Sequence, residues 1–188
     1  MPSCPSQLHL KAALAALSDG GVIACPTEAV WGLSCDPDSE QAVSRLLSLK
    51  NRPREKGLIL VAASESQLGF LLAGLDAEQR ATLSASRPGP NTWLVPRHNR
   101  VQPWVCGRFD TVAVRVSDHP VVAALCEAWG GPLVSTSANP AGAQPPVAAF
   151  QVYRYFRGSL DGILPGEVGR AGSPSTIRDL RSGSVIRA

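Results

Sequence analysis

The sequence predicts an α/β fold: a single-domain, twisted mixed β-sheet flanked by helices. Three observations lead there. Apolar stretches of strand length alternate with stretches of helical period along the chain. No internal repeat, low-complexity block or linker interrupts them, so residues 1–188 read as one domain. Two late stretches, STIRDL and SVIRA, are joined too tightly for a helical crossover, so part of the sheet must be antiparallel.

Each element has its own signal. Ser6 is placed to cap a first helix with Leu10, Leu14 and Leu17 on one face and Gly20-Gly21 as its end. GVIACPT reads as a short buried strand stopped by Pro26, and WGLSC as a second strand. In DSEQAVSRLLSLK, Asp38 or Ser39 caps a helix on which Val43, Leu46, Leu47 and Lys50 follow at helical spacing. The loop NRPREK then leads to strand GLILVAA. Residues 64–86 are expected to form two helices broken near Gly74. RPGPNTWLVP is a turn followed by a strand, and DTVAVRVS alternates as a half-buried strand does. HPVVAALCEAWGG is a helix opened by Pro120 and closed by glycines. PLVSTSAN runs from strand into loop, AGAQPP reads as an exposed connector, and the tail supplies the two last strands.

The totals narrow the function. With 18 Lys+Arg against 15 Asp+Glu, the net charge of +3 is too small for a histone-like or polybasic nucleic-acid binder. Five cysteines, widely spaced and odd in number, argue against a disulfide framework or a zinc site. Cys25 and Cys126 lie in apolar runs and read as small core residues. The N-terminal apolar run is too short to span a membrane and carries Lys11, so a cytoplasmic protein with no membrane contact is expected.

Four segments could carry chemistry. The loop from Lys50 to Lys56 holds four cations against Glu55, which suits a polyanion such as triphosphate; a solvated basic turn at a helix C-terminus is the plainer reading. PTEAVWGL sets the hydroxyl of Thr27 and the carboxylate of Glu28 at a strand end, where α/β ligands commonly bind, or closes a local turn. VSTSANPAG places Ser135, Thr136, Ser137 and Asn139 after an apolar strand, suited to phosphate, ribose or amino acid, or to an Asx turn. Arg115, among the apolar residues of TVAVRV, requires an anionic partner: Asp118 nearby, or a substrate carboxylate. The chain has no Walker-type loop, no G-x-G-x-x-G after a strand, no H-E-x-x-H and no G-x-S-x-G.

In this order, PTEAVWGL, KNRP, RPGPNTWLV, AVRVSDHP, PLVSTSAN and STIRD resemble the YrdC-like family of threonylcarbamoyl-AMP synthases, in its short, single-domain form. The resemblance runs from about residue 20 to the C-terminus. Two stretches depart from the pattern: Lys56-Gly57-Leu58 where many relatives have proline and leucine, and AGAQPP where another serine is common.

The resemblance implies a large, positively charged concave cavity. It implies that L-threonine, bicarbonate or CO2, and ATP give threonylcarbamoyl-AMP and pyrophosphate. The carbamoyl group then passes to a tRNA adenosine with the help of tRNA-modification partner proteins. By position, Lys50 and Arg52 match the pair on the ATP phosphates and are the expected catalytic residues. Thr111, Ser137, Asn139 and Arg187 complete the expected ATP site. Thr27, Arg115, Ser135, Ser175 and Thr176 form the expected threonine site, Arg115 on the carboxylate. No Asp/Glu cluster marks a protein-held metal, so Mg2+ is expected to arrive with ATP. Two other readings stay open: an RNA-binding module that contacts tRNA or rRNA directly, and a carbamoyl transferase acting on a maturation partner.

Overall fold

The computed structural model describes residues 4–86, 91–171 and 175–187. Among these, nine strands form one mixed sheet in the order β7-β1-β2-β6-β3-β5-β4-β8-β9. Strands β1 (Ile23–Pro26), β2 (Trp31–Cys35), β6 (Leu133–Ser137) and β3 (Ile59–Ala62) run antiparallel in turn. Strand β3 is parallel to β5 (Thr111–Val116), which is antiparallel to β4 (Asn91–Pro96). Strand β8 (Thr176–Asp179) adds parallel to β4, and β9 (Val185–Arg187) returns antiparallel to β8. At the other edge, the two residues of β7 (Gly162–Ile163) pair parallel with β1.

Period-two alternation gives the strands two apolar faces. Ala24, Leu33, Leu60, Val114 and Val134 face one core, packed by Val43, Leu46 and Leu47 of helix α2 (Glu40–Leu49). Ile23, Cys25, Val61 and Leu133 face the other, closed by Leu17 of helix α1 (Gln7–Ser18) and by Val121 and Leu125 of a later helix over Pro120–Trp129. Further along these strands, the second face carries Gly32, Ile59, Ala113, Arg115, Ser135 and Ser137. Those six residues line an open cavity of about 410 Å³.

The helix ends follow capping rules. Ser6 Oγ accepts from His9 N at 3.4 Å, and Ser39, not Asp38, caps α2 by accepting from Ala42 N at 3.2 Å. The expected helix pair over 64–86 is shorter than its sequence range. A single 3-10 turn (Ser66–Leu68) runs into the one-turn α3 (Gly69–Leu72), and α4 (Ala77–Ala85) begins after an Asp76–Gln79 capping box. Three elements carried no clear signal: the one-turn α5 (Pro103–Cys106), helix α7 (Ala149–Phe156) after α6 (Pro120–Trp129), and β7. AGAQPP is not wholly exposed, because Pro146 is buried and its carbonyl accepts from Trp31 N at 2.8 Å. The expected turn at RPGP lies outside the described residues. Among the described residues, no helix is long and apolar enough to cross a membrane.

Candidate functional site

The cavity is assembled from segments distant in sequence: 27–32, 52–59, 106–115, 135–145 and 175–187. The first follows β1, where Pro26 ends the strand and the chain turns back at Val30. Thr27 Oγ1 donates to Val30 O at 2.8 Å and Thr27 N to the same carbonyl at 3.0 Å, so the hydroxyl closes the turn while the residue faces the cavity. Close approach is required here, because a Cβ on Gly32 would lie 3.1 Å from the Thr27 methyl.

Glu28 comes next and is buried. Its Oε1 accepts from Ser117 Oγ at 2.6 Å, and its Oε2 lies 3.4 Å from Arg115 Nη2. The internal partner of Arg115 is therefore Glu28 and not Asp118, the internal one of the two partners expected. Arg115 points into the cavity from β5, whereas Asp118 lies past the strand end and is exposed.

The basic loop supplies the second wall. A one-turn 3-10 helix (Arg54–Lys56) sends Arg54 outward to an ion pair with Glu40 at 2.6 Å, both half-exposed. Arg52 and Lys56 line the cavity. Arg52 Nη2 donates to Gly57 O at 2.8 Å, and burial, followed by the nearby charge of Arg187, holds its guanidinium below the ordinary arginine range. Lys50 is placed otherwise. It caps α2 with only 4% exposure, and its ammonium donates to the carbonyls of Ser137 and, at 2.7 Å, Asn139. Burial, with Arg52 second, lowers its pKa to about 8.

The remaining walls come from β6 and the C-terminal hairpin. Ser135 and Ser137 project from β6, while Asn139 turns its amide onto the carbonyls of Pro140 and Ala143. Ser175 lines the cavity with its hydroxyl 2.7 Å from Thr92 Oγ1, and Arg187 Nη2 donates to Ser175 O at 3.1 Å. Cys106 also contributes to the lining, but burial pushes its thiol up to about 11, leaving no thiolate at neutral pH. Four cations, Arg52, Lys56, Arg115 and Arg187, face one carboxylate, Glu28, among the described lining residues.

A small-hydroxyl cavity with surplus guanidinium is the setting in which relatives become informative. The Sua5_yciO_yrdC family profile, described as "Telomere recombination", matches residues 15–188. The chain belongs to the Sua5/YciO/YrdC family. It is 57% identical over 172 residues to a threonylcarbamoyl-AMP synthase of Saccharophagus degradans, covering 92% of this chain and 90% of that one. It is 51% identical over 190 residues to a threonylcarbamoyl-AMP synthase of Halorhodospira halophila, covering 100% of both. Among solved structures, P. abyssi Sua5 complexed with L-threonine superposes with a TM-score of 0.86 at 33% identity, over 94% of this chain. The chain spans about half, 52%, of that Sua5. E. coli YciO superposes with a TM-score of 0.87 at 25% identity, over 99% of this chain and 91% of that one.

Of the residues singled out in the sequence, the family fold brings Thr27, Arg52, Thr111, Arg115, Ser135, Ser137, Ser175 and Arg187 to the cavity. Lys50, Asn139 and Thr176 are not among its lining. Lys56, which was not among the expected ATP or threonine residues, lines the cavity, as do Phe109 and Ile177. The parity of β8 could have pointed to Ile177, two positions from Ser175. Nothing local points to Phe109. Among the described residues, no group of three or more His, Cys, Asp or Glu could hold a metal ion.

Proposed function

We propose that this chain is a threonylcarbamoyl-AMP synthase, forming threonylcarbamoyl-AMP and pyrophosphate from L-threonine, bicarbonate or CO2, and ATP. The observation that carries the reading is the meeting of Arg115 and small hydroxyls with Arg52, Lys56 and Arg187 in one cavity. The first group suits an amino acid and the second a polyphosphate. The names borne by relatives more than 50% identical over nearly the whole chain support the same assignment.

The chemistry asks for alignment more than for a nucleophile. Threonine's amine adds to CO2 and loses a proton, giving a carbamate. A carbamate oxygen then attacks the α-phosphorus, a new O–P bond forms, and pyrophosphate leaves with the electrons of the broken P–O bond. Arg115 would fix the threonine carboxylate, with Thr27 and Ser135 at hand for its hydroxyl or amine. Arg52, Lys56 and Arg187 would offset charge on the phosphates, beside Thr111 and Ser137. Preorganised donors lining the cavity would supply the stabilisation without a covalent intermediate. Lys50 and Asn139 would act from behind the wall, by fixing the main chain at Ser137.

Among the described residues the lining offers no metal site of its own, since Glu28, its one side-chain carboxylate there, is engaged by Ser117 and Arg115. Mg2+ would enter with the nucleotide's phosphates. The product would serve tRNA threonylcarbamoyladenosine formation with partner proteins.

Pyrophosphate release by purified protein, with ATP, L-threonine and bicarbonate each omitted in turn, tests the reading. Release that needs all three is expected. Release indifferent to threonine overturns it, and RNA binding without any release would favour a binding module instead.

A further inference from the structure

Glu28 is a buried carboxylate that the reaction above does not use. It has 8% exposure, as does Arg115, and both contribute to the cavity wall. The main chain around it is held from outside the site: Gly169 N donates to Thr27 O, just before it, at 2.9 Å, and Ala171 N to Glu28 O at 3.1 Å. The approach is tight enough that a Cβ on Gly169 would lie 2.7 Å from Glu28 O. Its Oε1 is fixed by the 2.6 Å bond from Ser117, whose hydroxyl oxygen in turn accepts from His119 N at 3.2 Å. A hydroxyl has one proton, and here it is directed onto the carboxylate.

What this fixed carboxylate faces is Arg115. One contact, at 3.4 Å, joins Oε2 to Nη2. Neither Glu28 Oε2 nor Arg115 Nε has a well-formed hydrogen bond, although both atoms are buried. A guanidinium carries five N–H donors, so one long contact balances its charge without filling its fork. Oε2 itself is shut from solvent, so Glu28 reaches the arginine and not a ligand.

We propose that Glu28 is the positioning residue for carboxylate recognition: buttressed by Ser117, it holds the Arg115 guanidinium in the orientation that receives an amino acid's carboxylate. The proposal rests on the synthase reading. Loss of Glu28 leaves a buried arginine unpaired and free to turn onto other acceptors. The consequence is specific to the carboxylate-bearing substrate and does not extend to ATP.

The test uses the full chain as wild type, Glu28→Gln and Ser117→Ala. Pyrophosphate release gives KM for L-threonine and for ATP. Calorimetry gives the ratio of binding constants for L-threonine and L-threoninol, which lacks the carboxylate. Glu28→Gln is expected to raise the threonine KM roughly tenfold to a hundredfold, the range of a lost hydrogen bond to a charged group. The ATP KM should stay within about twofold, and the preference for threonine over threoninol should collapse. Ser117→Ala keeps the charge and should move the same quantities in the same direction by less, which covers a Glu28→Gln protein that does not fold. An unchanged or lowered threonine KM with the preference intact overturns the proposal, as does a parallel rise of both KM values with a fall in melting temperature. Absence of threonine-dependent release by wild type sinks the synthase reading separately, and the binding ratio still decides the role of Glu28.

Discussion

Lys50 Nζ donates to the main-chain carbonyl of Asn139 at 2.7 Å and to that of Ser137, so the lysine clasps the end of α2 to the end of β6. Ala141 N returns a bond to Lys50 O at 2.7 Å. The clasp predicts that Lys50→Met is a stability variant as well as an activity variant. Ser137 O keeps a bond from Asn139 N at 3.0 Å, so the part-buried carbonyl of Asn139 is the one left without a donor, at a cost of about 1–3 kcal/mol. At roughly 2–4 °C per kcal/mol for a chain of this size, melting at about pH 9–10, where the burial penalty of the ammonium is relieved, should fall by several degrees. Arg52→Ala, whose guanidinium lies at the cavity, should lose synthesis and some stability too, since Gly57 O loses its 2.8 Å donor. Thermal melts beside pyrophosphate release compare the two; a Lys50→Met protein that melts like wild type removes the clasp.

The same lysine predicts a pH dependence. Its folded pKa is lowered from 10.5 to about 8, so between these values the unfolded chain binds the proton more tightly than the folded one. Stability from this group therefore rises with pH across that window, and below about pH 8 the burial penalty is fully present. Up to about 3 kcal/mol follows at 1.36 kcal/mol per unit. Buried Cys25, Cys35 and Cys126, whose thiols are raised, act in the opposite sense as pH climbs past 9. The informative quantity is thus the difference in denaturation free energy between wild type and Lys50→Met. It should grow from pH 8 to pH 10, and a flat difference contradicts the shift.

Much of this was legible along the chain. Strand β5 shows why: its alternation marks Val112, Val114 and Val116 for the core and leaves Thr111, Ala113 and Arg115 for the other face, where the cavity is. Caps at Ser6 and Ser39 and the Pro120 helix start are local signals too. Pairings between distant segments left no such trace. Glu28 meets Ser117 across 89 positions and Lys50 meets Asn139 across 89, and neither residue type announces its partner. Charge makes Lys50 stand out in sequence, whereas the two carbonyls that take two of its three donors are not visible there. Helix α7 hides for another reason: it is short, and Phe150, Val152, Tyr153, Tyr155 and Phe156 are middling helix formers, so its helicity is stabilised by packing of Val152 and Phe156.

Gly107 predicts how the basic loop is aimed. Its φ is +63°, and a Cβ there would lie 2.6 Å from Glu55 O, 2.7 Å from Arg54 O and 2.7 Å from Gly57 N. Those atoms belong to the same turn whose carbonyls hold Arg52, which donates to Gly57 O and Lys56 O. Gly107→Ala should cost more than about 1 kcal/mol, because the backbone is left-handed and the contact is with main chain that cannot swing aside. ATP affinity should weaken with it. A variant with wild-type melting and wild-type ATP affinity would show that the loop is aimed by something else.

Arg52 and Arg187 predict the anion the cavity takes. Both line it, and the charge of Arg187 is felt at Arg52, second to burial, as a depression of its pKa. Their hydrogen bonds among the described residues go to carbonyls, Arg52 to Gly57 and Lys56, Arg187 to Ser175. Two guanidiniums repelling one another are relieved by a polyanion that bridges them. Tripolyphosphate should therefore raise the melting temperature of wild type in a salt-sensitive way. Arg187→Ala removes the repulsion along with one donor set, so the ligand-free protein should melt no lower than wild type. Its tripolyphosphate affinity should fall about tenfold, the lower end for a charged hydrogen bond because Arg187 is exposed. Equal stabilisation of wild type and Arg187→Ala by tripolyphosphate would place the polyanion away from the C-terminal hairpin and leave Arg52 and Lys56 to hold it without Arg187.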